Sequence, residues 1–145
     1  MRRLLLAVLG ALGMLVGLVA VAGTAQAANP HPVPSNPIVC TLNPDQTVSC
    51  AGGIAGLGTG AVTVTVDVAF GCETRSGSNQ PGGHVQAVSE PIQPRSGRIN
   101  FSLTTGPADC PPGLNPVVGD TATITVRSAA TGEVLFTTTV PITEP

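Results

Sequence analysis

The stretch from 61 to 70 reads Ala-Val-Thr-Val-Thr-Val-Asp-Val-Ala-Phe. Val62, Val64, Val66, Val68 and Phe70 fall on one face of an extended chain, and Thr63, Thr65 and Asp67 fall on the other. A period of two over five repeats cannot come from a helix, whose apolar positions recur every three or four residues. It specifies a strand with one dry and one wet face. The same alternation returns at 98–104, with Ile99, Phe101 and Leu103 inward, and at 121–127, with Ala122, Ile124 and Val126 inward. Shorter Val- and Thr-rich runs at 38–42, 46–51, 84–88 and 133–140 complete a set of seven, separated by Gly and Pro turn signals. The last two strands are joined by the turn Ala129-Ala130-Thr131-Gly132. Half-wet strands pair antiparallel and bury their dry faces against each other. The chain is therefore expected to be all-β, an immunoglobulin-like sandwich of about seven antiparallel strands; a small Greek-key barrel would give the same pattern.

Ahead of this domain the character of the sequence changes. Met1 to Arg3 carry positive charge, 4–23 is an uncharged apolar run, and Ala25-Gln26-Ala27 places small residues where signal peptidase cuts. Residues 1–27 read as a secretory signal peptide, with a retained membrane anchor as the competing reading. The cleavage site carries no Cys for lipidation. The C-terminus has no sorting motif, so the expected product is free and extracellular. Residues 28–37 contain four Pro without apolar periodicity and read as a linker, leaving 38–145 as the β domain.

Four Cys in an exported chain imply two disulfides. Cys40 and Cys50 flank a hairpin whose Pro44-Asp45-Gln46 loop would set them directly opposite one another. Cys72 and Cys110 follow strands that run the same way if neighbours alternate, which would bring them together at one end with Cys40 and Cys50 at the other. Crossed pairs would then have to span a strand length of about 17 to 20 Å, too far for a bridge. The expected pairs are Cys40 with Cys50 and Cys72 with Cys110. Without a C-x-x-C pair, a zinc site is disfavoured, and no metal or other cofactor is expected.

Composition narrows the functions further. After signal removal, four Arg and no Lys stand against eight acids, a charge of −4. Nucleic acid needs clustered cations and aromatic platforms, and only three Phe are present, so no nucleic-acid partner is expected; nor is a membrane partner once the signal is cut. His31 sits in the linker, and Pro30 before it lacks the amide an amino-terminal copper site requires. His84 is the one histidine of the domain, with Ser76, Ser78 and Ser89 as possible nucleophiles and Glu73, Glu90 or Asp109 as possible orienting acids. No G-x-S-x-G or H-E-x-x-H accompanies them, and His84 reads as a surface strand residue. The run Ala-Gly-Gly-Ile-Ala-Gly-Leu-Gly-Thr-Gly at 51–60 precedes a strand rather than a helix, so its glycines are expected to make left-handed turns while Ile54 and Leu57 plug the end of the domain.

The residues left for function lie in the two longest loops, 71–83 and 105–120, which the Cys72 to Cys110 bridge would clamp together. Glu73, Arg75, Asn79, Gln80, Asp109 and Asn115 are the candidate contact residues. Glu73 and Asp109, each beside a bridging Cys, should approach one another, and Arg75 would be the bait of a protease inhibitor. Together these features describe a non-enzymatic extracellular module for an unidentified protein or small ligand. A protease inhibitor and a small secreted hydrolase are the alternatives.

The segment Val48-Ser49-Cys50-Ala51-Gly52-Gly53-Ile54-Ala55-Gly56-Leu57-Gly58, followed by an alternating Val/Thr strand, a Cys and Ser78-Asn79-Gln80-Pro81-Gly82-Gly83, resembles small exported actinobacterial proteins of uncharacterised function. The absence of Lys beside abundant Ala, Gly, Val and Pro agrees with such a high-GC origin. That resemblance implies a secreted β domain and brings no catalytic residues with it. The closing Thr131-Gly132-Glu133-Val134-Leu135 is similar to the last hairpin of many bacterial immunoglobulin-like modules, a likeness of fold alone.

Overall fold

A computed structural model describes residues 29–145; the apolar segment read as a signal peptide lies outside the described residues. Every regular element is a strand: β1 (His31–Pro32), β2 (Val39–Leu42), β3 (Val48–Ala55), β4 (Val62–Glu73), β5 (Asn79–Val88), β6 (Ile99–Thr104), β7 (Asn115–Ser128) and β8 (Val134–Thr143). Among the described residues the chain is all-β, an eight-stranded sheet with seven strands in one hydrogen-bonded path, β1-β3-β2-β8-β7-β4-β5, and β6 on the far edge of β3. Two expectations change. The strands are not uniformly antiparallel, because β2 and β8 pair in parallel at Cys40 with Ile142 and Thr41 with Thr143. The eighth strand comes from the Pro-rich segment expected as a linker: His31 and Pro32 pair with Ala55 and Ile54, Val33 donates to the Gly53 carbonyl at 2.9 Å, and Val33 is buried. Pro32 and Pro34 do not prevent this, since a two-residue strand on a short stretch of edge needs few donors.

The period-two pattern becomes burial directly. Val62, Val64, Val66 and Val68 on β4 and Ala122, Ile124 and Val126 on β7 are each 0% exposed. They share one core with Cys40, Val48, Cys50 and Ile54 of β2 and β3 and with Ile99 and Phe101 of β6, so both halves of the sheet contribute to a single apolar interior. Each such Val contributes about 1.5 to 3 kcal/mol relative to leaving it exposed. Phe136 packs half-buried against this cluster.

Both expected disulfides are present, Cys40–Cys50 with Cα atoms 4.1 Å apart and Cys72–Cys110 with Cα atoms 5.8 Å apart. Cys40 and Cys50 are register partners on β2 and β3, and Gln46 takes the left-handed conformation that closes the three-residue loop. β4 and β6 do run the same way. The bridges, however, do not sit at opposite ends. Cys40 pairs with Ile142, Pro141 with Thr121, and Ala122 with Val68, which puts Cys40 level with the last third of β4, a few residues short of Cys72. The loop after β6 closes the same end: Thr105 N–H donates to Val48 O at 2.9 Å and Ala108 N–H to Gln46 O at 3.1 Å. The cause is the length of β3. It runs on through Gly52 and Gly53 to Ala55 instead of stopping at Ala51, so Cys50 lies near its start rather than at its finish.

The opposite end carries the turns of the Gly-rich run. Gly56 and Gly58 adopt positive φ as expected, Leu57 N–H donates to Gly97 O at 3.0 Å, and Ile54 and Leu57 are buried. Gly132 likewise turns the chain between β7 and β8 at φ 74°.

Candidate functional site

The two loops proposed as contact surfaces prove shorter than expected. Residues 71–83 are mostly hairpin: β4 continues to Glu73, a turn occupies 74–78, and β5 begins at Asn79. That turn is closed by Thr74 N–H to Ser78 O and Gly77 N–H to Thr74 O, both 3.0 Å, with the Thr74 hydroxyl also accepting from Ser78 N–H. Arg75 is exposed at its tip. Asn79 and Gln80 are therefore strand residues, and so is Asn115, which opens β7. Glu73 is the register partner of both Asn79 and Asn115, making one polar row across three strands. The irregular part of the second loop is only 105–114, where Asp109 is exposed and Cys110 reaches back to Cys72. No ion pair joins Glu73, Asp109 or Arg75 among the described residues.

One strand turn below the bridge, the ladders on both sides of β4 slip. Against β7, register passes from Val68 with Ala122 to Phe70 with Val118, so Gly119, Asp120 and Thr121 oppose the single residue Ala69. Against β5, it passes from Phe70 with Gly83 to Cys72 with Gln80, so Pro81 and Gly82 oppose Gly71. Glycine is what lets the strands approach here. A Cβ on Gly82 would lie 2.0 Å from the Phe70 carbonyl oxygen, and one on Gly119 would lie 2.9 Å from that of Ala69. Bulges re-aim side chains, and the consequence falls on Phe70. Expected on the inward face, it is only half-buried and lines an open hollow of about 420 Å³ with Asn79, Val117, Val118 and Asp120. Val117 is 44% exposed, and the Cys110 Sγ sits 3.7 Å from the Gly71 carbonyl, so the covalent staple borders the hollow. A smaller hollow of about 230 Å³, lined by Leu42, Pro44 and Glu144 among others, lies at the same end beside the C-terminus.

Of the candidate residues, only Asn79 lines the larger hollow. Glu73 and Asn115 lie one row beyond the Cys72, Gln80 and Pro116 row; Arg75 and Asp109 stand away from it. Phe70, Val117 and Asp120 were missed. The available signal was the glycine at 82 and at 119 within strand-like sequence, which marks a bulge or a close backbone approach.

His84 is a surface strand residue, as expected, but its partner is Asp67 rather than Glu73, Glu90 or Asp109. Its Nδ1 lies 2.7 Å from Asp67 Oδ1, and Gln86 Nε2 donates to Asp67 Oδ2 at 2.5 Å. Partial burial alone would raise the Asp67 carboxyl pKa; the Gln86 and His84 hydrogen bonds, with the favourable charge of His84, more than offset it and hold the carboxyl below its ordinary value. Asp45 is likewise lowered, by Thr47 donating from its hydroxyl at 2.6 Å and its amide at 3.2 Å. The serines near His84 in sequence are engaged elsewhere. Ser89 Oγ accepts from Val64 N–H at 2.9 Å, and Ser76 Oγ bonds the Thr74 hydroxyl. No group of three or more metal-ligating side chains occurs among the described residues. The chain matches no known family, no curated protein and no solved structure.

Proposed function

We propose that the chain is a secreted, non-enzymatic binding module, an immunoglobulin-like sandwich whose contact surface is the hollow around Phe70 at the Cys72–Cys110 end. The observation that carries this reading is that the two ladders of β4 slip on either side of one aromatic residue, at Ala69 against β7 and at Gly71 against β5. A strand optimised only for stability would keep Phe70 inward with the four valines before it. Here a large apolar side chain keeps part of its surface in water, at the edge of an open hollow within the size range of ligand sites, about 300 to 1,000 Å³. The staple beside it limits the ordering cost of binding. Two disulfides fit an oxidising compartment, which agrees with export by the N-terminal signal.

The competing readings have less support. A protease inhibitor offers its bait in an extended segment, whereas Arg75 sits in a tight turn with four internal hydrogen bonds. A hydrolase built on His84 would need a nucleophile against the imidazole, and the hydrogen bonds that the ring makes among the described residues go to Asp67. The test is ligand-observed NMR with a fragment library on the disulfide-bonded protein, repeated on Phe70→Ala. Expected hits shift the amides of 69–71 and 117–120 and disappear in the variant. Hits that all map elsewhere, or survive Phe70→Ala unchanged, overturn the reading.

A further inference from the structure

Resting on the reading of the Phe70 hollow as a binding site, we propose that its ligand class is a small organic cation, an ammonium group on an apolar body. The lining residues carry the inference. Phe70, Val117 and Val118 supply apolar and aromatic surface, Asp120 supplies one carboxylate, Asn79 one amide, and no lining residue is cationic. Asp120 belongs to the extra residues that the bulge inserts opposite Ala69, so the irregularity that frees Phe70 also brings a negative charge to the same hollow. The face of an aromatic ring attracts a cation through its quadrupole, and a carboxylate beside it attracts the same charge; the two act together only on a positively charged ligand.

The surroundings reinforce that sign. Across the whole chain acids exceed Lys and Arg by eight to six. Arg75 in the neighbouring turn does not line the hollow; Arg127 donates to the Gly132 carbonyl at 3.2 Å at the other end of the sheet. An anionic ligand would meet Asp120 without a compensating cation. A neutral ligand would leave the carboxylate to solvent and gain from the ring alone.

The experiment compares three probes of one shape: 2-phenylethylammonium, 2-phenylethanol and 3-phenylpropionate, each titrated into the oxidised protein with amide shifts read by NMR. The ammonium is expected to bind at 69–71, 79 and 117–120 about tenfold more tightly than the alcohol, and the carboxylate not to shift these amides. Binding should weaken with added salt. Asp120→Asn, on an exposed strand position, should weaken the ammonium about fivefold while leaving the alcohol unchanged. Phe70→Leu should weaken it about threefold. If the alcohol binds the same amides as tightly as the ammonium, the cation class is overturned and the hollow stands as a site for neutral ligands. If the ammonium shifts only amides outside the hollow, or Asp120→Asn binds it equally well, the inference fails whatever the fragment screen returns.

Discussion

Strand β4 is two different structures along one run of backbone. From 62 to 68 its register against β7 is unbroken, as it is against β5 from 65 on, and every second side chain is a fully buried valine. From 69 to 73 both ladders slip, Phe70 is only half-buried, and a disulfide holds the end in place. The first half needs no covalent help because alternating Val and Thr satisfy the backbone and the core at once. The second half has given up that regularity and is stapled. Stability and the candidate site are thus separated by two residues on one strand, and substitutions in the two halves should have different signatures.

The largest expected effect belongs to the regular half. Val66→Asp places an unpaired charge among fully buried apolar neighbours and should cost about 4 kcal/mol, a large part of the roughly 5 to 15 kcal/mol that stabilises a domain. Thr65→Asp, one residue away on the wet face, should cost under about 1 kcal/mol. Thermal melts of the pair check this, and similar melting temperatures would break the comparison at its base.

Next comes the staple. Replacing Cys72 and Cys110 with Ser opens a 38-residue loop, worth up to about 4 kcal/mol on the chain-entropy model. The sharper readout is local. Native-state amide exchange should quicken at 70–73 well before it does at 64–68. Equal acceleration in both halves would mean that the bridge supports the whole sheet rather than the broken segment.

These contrasts also show what could be read from the residues alone. Inward and outward positions on β4, β6 and β7 were legible up to Val68 because period-two alternation ties sequence to burial without knowledge of partners. The disulfide pairs were legible too, although through a wrong picture of the ends: extension of β3 through Gly52 and Gly53 moved Cys50 from a strand end to a strand start. A pair of glycines weakens strand propensity and hides such an extension. The Phe70 hollow was not legible, because a bulge is decided by which partner carries the extra residue. That depends on pairing between segments some fifty residues apart, Phe70 with Val118. The Asp67 to His84 contact was lost for a related reason. With 71–83 taken as a loop, nothing set the hairpin register that brings Gln86 opposite Asp67.

Two neighbouring glycines of β5 refine the comparison further. Gly82→Ala would push a methyl into the Phe70 carbonyl, 2.0 Å away, while Gly83→Ala would meet the Phe70 ring at an ordinary 3.5 Å. The first should cost about 1 to 3 kcal/mol and abolish ligand shifts at the hollow; the second should stay within about 0.5 kcal/mol. If Gly82→Ala were as stable as Gly83→Ala, the broken half would be loose enough to rearrange, and the staple rather than the bulge would define the site.

The smallest effect lies on the wet face of the regular half, at Asp67. Its carboxyl titrates below the unfolded value of about 3.9 because Gln86 and His84 hold its charged form. A carboxylate depressed in the folded state adds stability that is fully present above the unfolded value and is lost as pH falls through the folded one. Asp67 is 26% exposed, so solvent screens the pair, and the contribution should be about 0.5 kcal/mol. Urea titrations of wild type and Asp67→Asn should therefore differ slightly at pH 6 and converge as the pH drops below about 4, with the wild type losing more. The ammonium probe at the hollow should bind both proteins alike, since Asp67 lies on the regular half and does not line that site. A change in probe affinity in Asp67→Asn would mean that the two halves of β4 are coupled through the β5 register, and the separation argued for this strand would have to be given up.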